Sequence, residues 1–324
     1  MTIWRLHVNT SGGNCADICL DNSVMVMGWS INDRHLEEYH FSETDKQKIR
    51  EQREAIKSYD DYEALIKEWK VYGSELVNAN IRRLYYKIQP DDLVWIRDNG
   101  IYYLGRVGKA SKWVYDSSKE MLERDSTTQR TYIKWYKVGD EFHVPGGVVN
   151  SFILGATLQR INSDAVEIFS KHYYNTKIDN NCYKDLTIKA DQEMFYSLIS
   201  STDCEDLVYA YLFAKYGYIV IPSTNKQSTA LFECVLLDPK DRTHIYIQVK
   251  KGKVDIDANA FRHLQGKVFL FTSEGTVQNL DFNNENIKQI SPEELFEFAM
   301  SDAAKNIVSD SISYWTEYMR KALK

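Results

Sequence analysis

A carboxylate, an amide and an ammonium stand where two neighbouring strands would bring them together: Glu233, Gln248 and Lys250, within the segment LFECVLLDPKDRTHIYIQVK that spans residues 231–250. Residues two apart on a strand point to the same face. Tyr246, Gln248 and Lys250 therefore share one face of the second run, and Ile245, Ile247 and Val249 form the buried one. In the first run Phe232, Cys234 and Leu236 alternate with Leu231, Glu233, Val235 and Leu237, which leaves Glu233 as the lone acid among apolar neighbours. A carboxylate in such surroundings needs a partner. The turn-forming residues Asp-Pro-Lys-Asp-Arg, 238–242, predict a hairpin that sets Glu233 beside Gln248. Oxygen ligands of this kind suit Mg²⁺, with Mn²⁺ as the alternative, and Asp238 is a second acid within the segment. A lysine next to such an ion positions or activates water and offsets charge developing on a phosphate.

These residues must be carried by a sheet with a helix beside it. Residues 200–218, SSTDCEDLVYAYLFAKYGY, carry Leu207, Tyr211 and Ala214 at helical spacing, with Ser201, Thr202 or Asp203 as cap and Glu205 in the first turn. Ile219-Val220-Ile221-Pro222 follows as a strand. Over roughly residues 190–300 the chain resembles the PD-(D/E)XK nuclease superfamily, in the branch whose second acid is Gln, as in Mrr-like restriction enzymes and Holliday-junction resolvases. The resemblance implies Glu205 as the helix acid, Glu233 as the metal-binding acid, Gln248 as the motif's third member and Lys250 as the catalytic lysine. Glu205, Glu233 and Gln248 would be the metal ligands. The chain departs from the family in carrying Glu at 233, where Asp is usual.

The N-terminal half has another texture. Six of the seven tryptophans, Trp4, Trp29, Trp69, Trp95, Trp113 and Trp135, lie before residue 160. Strand-like runs recur at Ile3–Val8, Val24–Trp29, Leu93–Arg97, Ile101–Val107 and Tyr132–Tyr136, and a charged helical stretch interrupts them from Glu43 to Trp69. Asp98-Asn99-Gly100 is a strong hairpin turn. Together they predict a small curved sheet or barrel with one or two flanking helices. Gly28-Trp29-Ser30, Asp91-Asp92-Leu93-Val94-Trp95 and Tyr102–Val107 resemble a PUA-superfamily domain of the EVE or YTH type. The resemblance implies a pocket for a flipped or single-stranded modified base, walled by aromatic rings because every base has a stackable face. Trp29, Trp95 and Trp113 are the candidate walls, with Ser30 and Asp98 as polar readers. Each tryptophan taken singly fits a core position as well. Arg97, Arg106, Lys109 and Lys112 are candidates for a phosphate track, or ordinary solvent-facing residues. His143 stands alone without metal-spaced companions and reads as structural.

Length and composition set the frame. A chain of 324 residues is long enough for two domains, and 44% hydrophobic with 27% charged residues is ordinary for a globular protein. The longest apolar runs are strand-length and no secretory pattern opens the chain, so the expected location is cytoplasmic, away from membranes. Cys15, Cys19, Cys182, Cys204 and Cys234 are an odd set in dissimilar contexts, which argues against both a disulfide framework and a zinc site. A net charge of -6 argues against a protein that coats nucleic acid electrostatically, but not against one with local patches such as Lys250, Lys251 and Lys253.

Asp164–His172 reads as a helix before a polar loop, placing a boundary near Asn175: a reader over residues 1–174 and a nuclease-like domain over 175–324. Ser291-Pro292-Glu293-Glu294 starts helices whose stripe of Phe296, Met300, Ile307, Ile312, Trp315 and Met319 serves a core or a homodimer contact. The expected fold class is thus α+β and α/β. It joins a PUA-like curved sheet or barrel with flanking helices to a restriction-endonuclease-like mixed sheet flanked by helices. The expected function is a modification-dependent DNA endonuclease using Mg²⁺, in restriction or phage defence. A catalytically inactive or RNA-directed binder of modified nucleic acid is the alternative.

Overall fold

The computed structural model describes residues 1–72, 75–179, 182–184, 186–224, 232–281 and 283–322, with backbone alone at 75–78. It is a mixed α+β protein of two compact units, one of residues 1–144 and 148–180, the other of 145–147 and 181–324. The helix predicted to end at His172 runs on, over Asp164–Lys177.

In the first unit the main sheet has five strands in the order Leu158–Arg160, Ile3–Leu6, Leu93–Asp98, Ile101–Val107 and Ile133–Gly139. Ile3–Leu6 runs parallel to Leu93–Asp98, and the other neighbours are antiparallel. Asp92 holds the parallel join: its carboxylate accepts the Trp4 indole N–H at 2.8 Å and the Thr2 N–H at 2.7 Å. The Asp98-Asn99-Gly100 hairpin forms as its residues dictate, because Asn99 (φ 46°) and Gly100 (φ 81°) adopt the left-handed pair that a two-residue turn requires. A second sheet joins Met25–Met27, Thr128–Arg130 and Trp113–Tyr115. Both sheets are open, and among the described residues no barrel closes.

The helical interruption is larger than the charged stretch predicts. Four helices, Asp33–Glu38, Glu43–Glu54, Tyr59–Trp69 and Glu75–Tyr86, separate Met25–Met27 from Leu93–Asp98. Asn32, Ser42 and Ser58 each cap a helix by accepting a backbone N–H, and Asp61 answers Ser58 in a capping box. The first of the four was missed because it is only six residues long and begins within a polar run.

The second unit is built on a five-stranded sheet in the order Ile219–Val220, Cys234–Leu237, His244–Lys250, Lys267–Thr272 and Ile287–Gln289. Its first three strands are antiparallel neighbours and the rest run parallel. The helix Ser201–Tyr216 packs on His244–Lys250 and against Pro292–Met300 and Asp310–Ala322. Being covered on several sides, it buries Cys204, Leu207, Val208 and Leu212 together rather than a single stripe. Of the C-terminal apolar stripe, Ile312, Trp315 and Met319 are buried within the chain, so the core explains them. No described helix is long and apolar enough to cross a membrane.

Candidate functional site

Register decides the site in the second unit. Cys234 pairs with Ile247, and the Glu233 N–H donates to the Ile247 carbonyl at 2.8 Å, so Glu233 enters the hairpin opposite Gln248. Its Oε1 accepts both the Lys250 Nζ at 2.9 Å and the Gln248 Nε2 at 3.3 Å. The three residues predicted to meet are therefore brought together. Asp238 is not among them. It sits at the turn, five residues further along, where its carboxylate accepts the Lys240 N–H at 3.0 Å.

Gln248 is 5% exposed, and its carbonyl Oε1 has no hydrogen-bond partner. An unpaired buried carbonyl costs about 1–3 kcal/mol. A water or a bound ion would remove that cost.

Glu205 joins the cluster from the helix. Burial, and then the neighbouring Glu233 charge, push its carboxyl up to about 7, with Lys250 opposing. The helix begins earlier than the expected caps allow. Ser200 is the N-cap, accepting the Asp203 N–H, while Asp203 returns the bond in a capping box. Glu205 thus lies beyond the first turn, out of reach of the end amides that would favour its charged form. Glu205 lies close enough to Glu233 to feel its charge, and the unpartnered Gln248 Oε1 belongs to the amide beside Glu233; carboxylate and amide oxygens are donors of the kind a divalent cation takes. Among the described residues no group of three His, Cys, Asp or Glu side chains is assembled for a metal.

Successive lysines go opposite ways. Lys250 reaches Glu233, whereas Lys251 turns to the other face and donates to the Ile199 carbonyl at 2.6 Å, one residue before the helix cap. Burial lowers the Lys251 ammonium from its ordinary range. Of the expected basic patch, then, the middle member holds the helix start to the strand end, and Lys253 stays exposed.

The first unit carries an aromatic pocket of about 510 Å³ lined by Trp29, His35, Glu38, Tyr39, Tyr72 and Asp125 with the Asn9–Ser11 turn, Gly28 and Thr157. Only Trp29 of the five expected reader residues lines it. Ser30 lies behind, buried, its N–H donating to Asp125 Oδ1 at 2.9 Å and its hydroxyl accepting the Thr127 N–H at 3.2 Å. Trp95 is fully buried, with its indole N–H on Ser170, and Trp113 packs among Tyr59, Tyr62 and Tyr85. Neither ring is open to a stacking base. Asp98 stays at its hairpin, accepting amide N–H groups from Asn14 and Asn99. In the expected phosphate track, Arg106 is paired with Asp91 and Arg97 lies over the Tyr102 ring.

Asp125, His35, Tyr39 and Tyr72 escaped the sequence reading. Tyr72 shares a 2.7 Å bond with His35 Nδ1, accepts the Ile31 N–H at 3.0 Å, and donates its own N–H to the Tyr39 hydroxyl at 2.8 Å. Burial, and then the Asp125 charge, keep the Tyr72 phenol protonated far above its usual range. Trp29 (φ 67°), Ile31 (φ 49°), Tyr72 (φ 58°) and Asp125 (φ 48°) all hold left-handed backbone here. Each costs about 1–3 kcal/mol, and such residues collect where a site over-determines the chain. Composition pointed away from them: Asp125-Ser126-Thr127-Thr128-Gln129-Arg130 is wholly polar, as a surface segment would be, yet all six are buried.

No protein-family model, curated protein or solved structure matches the chain.

Proposed function

We propose that the second unit hydrolyses phosphodiester bonds of DNA with a divalent cation, in the manner of a PD-(D/E)XK nuclease whose second acid is Gln. The first unit would act as a PUA-like reader that restricts cleavage to DNA carrying modified bases, a pairing suited to restriction or phage defence. The observation that carries the reading is the unpartnered, buried Oε1 of Gln248 beside Glu233, where Lys250 completes the order acid, amide, lysine. Glu233, Gln248 and Glu205 would hold Mg²⁺ or Mn²⁺. When bound, the ion would supply a water of lowered pKa and charge stabilisation at the phosphate.

The remaining roles follow from the side chains. Lys250 Nζ neutralises Glu233 at rest and is the cation at hand for charge developing on a phosphate oxygen. Glu205, pushed up to about 7, is partly protonated at neutral pH and would give up that proton as positive charge arrives. Lys250→Ala is expected to lower Mg²⁺-dependent cleavage by about 10²–10³-fold while leaving DNA binding intact. The assay is digestion of unmodified, cytosine-methylated, hydroxymethylated and glucosylated DNA; equal cutting by variant and parent would overturn the assignment.

A second reading, a binding protein without cleavage, draws on the Lys250 that already occupies Glu233 and on the lack of a third acid among the described residues. Calorimetric titration with Mg²⁺ and Mn²⁺ separates the two. Absence of heat dependent on Glu233 would favour the binder, and competition between methylated DNA and methylated RNA would then identify its ligand.

A further inference from the structure

Asp125 is 4% exposed, yet every hydrogen bond its carboxylate accepts comes from a neutral donor. Its Oδ2 accepts the Ser11 hydroxyl at 2.7 Å and the Ser11 N–H at 3.3 Å, and Oδ1 accepts the Ser30 N–H. Among the described residues no lysine or arginine lines the pocket that this carboxylate faces. The second carboxylate there, Glu38, has Arg34 as its partner at exposed positions. Buried carboxylates are ordinarily matched by a cation, because desolvating an unpaired charge is expensive. Here three hydroxyl or amide groups soften that cost and none cancels the charge.

The walls point the same way. Trp29, Tyr39 and Tyr72 surround the space, with Tyr39 edge-on to Tyr72 at 6.4 Å and His35 edge-on to it at 5.0 Å. Aromatic faces attract cations, tryptophan most strongly. Gly28 keeps the approach clear, since a Cβ there would lie 2.8 Å from Asp125 Oδ2. Inside, a phosphate would meet the Asp125 carboxylate and no lining lysine or arginine, so the sugar-phosphate is expected to stay at the rim, where Arg34 pairs with Glu38. A quaternary ammonium would satisfy the rings but could offer Asp125 no N–H. A flat ring that is both cationic and an N–H donor satisfies rings and carboxylate together.

We propose that this pocket takes an N-alkylated nucleobase bearing a positive charge, with the rings as its stacking faces and Asp125 as its counter-ion. The proposal rests on the reading of the first unit as a base reader and names the class of base. The test is calorimetric titration of the full chain with isomeric pairs of nucleosides that differ in charge: 1-methyladenosine against N6-methyladenosine, and 3-methylcytidine against 5-methylcytidine. The cationic member of each pair is expected to bind about tenfold more tightly or better. Asp125→Asn, which keeps an acceptor for Ser30, should erase that preference. Tyr39→Leu, at the more exposed rim, should reduce it about threefold or more.

Equal or tighter binding of the neutral isomers would overturn the charge assignment and leave the base reader standing. Binding of a trimethyl-lysine peptide with no binding of any nucleoside would overturn the nucleobase itself, and with it the reader. Loss of the cationic preference in Asp125→Asn or Tyr39→Leu, with circular dichroism unchanged, supports the proposal; its retention in both overturns it.

Discussion

The two units each hold a carboxylate in a sheltered position, and they treat it oppositely. Glu233 has its counter-ion built into the same hairpin, seventeen residues on, at 2.9 Å. Asp125 has only neutral donors and an open aromatic pocket before it. A site that carries its own cation is preorganised and must release that cation to act. A site that lacks one is completed by what it binds. The difference separates a centre suited to chemistry from one suited to selection.

That contrast is open to direct attack. The largest effect is expected from Gly28→Ala, whose Cβ would press on Asp125 Oδ2. It should weaken nucleoside binding by more than about tenfold and lower stability by about 1–3 kcal/mol, while metal binding in the second unit stays as in the parent. Calorimetry and urea unfolding read the two parts, and a parallel loss of metal binding would break the separation. Next comes Lys251→Met, which keeps the apolar stem but leaves the Ile199 carbonyl without its donor. A stability loss of about 1–2 kcal/mol is expected. Metal affinity should fall with it, because the helix bearing Glu205 loses its tie to the strand bearing Gln248. Lys251→Arg should recover part of both; a variant matching the parent in metal affinity would show that Lys251 does not position the site.

The smallest effect is one of pH. Glu205 is raised to about 7 in the fold, above its unfolded value, so the folded state holds the extra proton between the two. Stability therefore falls as pH rises through that window, the reverse of a salt-bridged acid. Glu205→Gln should raise stability at pH 8 by about 1 kcal/mol, a modest figure because the side chain is only half-buried, and leave it unchanged at pH 4. Thermal unfolding at the two pH values would show it, and an equal effect at both would remove the raised carboxyl from the account.

The same contrast explains what was legible in the sequence. Glu233, Gln248 and Lys250 sit on two strands joined by a tight turn, where alternation and turn chemistry fix which side chains meet. The aromatic pocket has no such rule. Trp29, Tyr72 and Asp125 follow one another at intervals of about forty to fifty residues, on left-handed backbone between elements, and no periodicity links them. Trp95 and Trp113 misled because abundance of an aromatic type says nothing about depth, and their rings went to the core. At Glu205 the helix was legible and its start was not: Ser201, Thr202 and Asp203 stand in a row as expected caps, and the reciprocal bond between Ser200 and Asp203 sets the start one residue before them.

Gln248 also bears on how faithfully the second unit assembles. A slip of His244–Lys250 by one residue against Cys234–Leu237 would exchange the two faces of the strand, driving the amide into the apolar side and setting Ile247 or Val249 beside Glu233. Lysines would still be found on either face, since Lys250 and Lys251 are adjacent. Along with the apolar set, the amide distinguishes the right pairing from the wrong one. Gln248 is thus a register mark, and the hairpin that is wrongly threaded is also the hairpin that cannot hold the donor set.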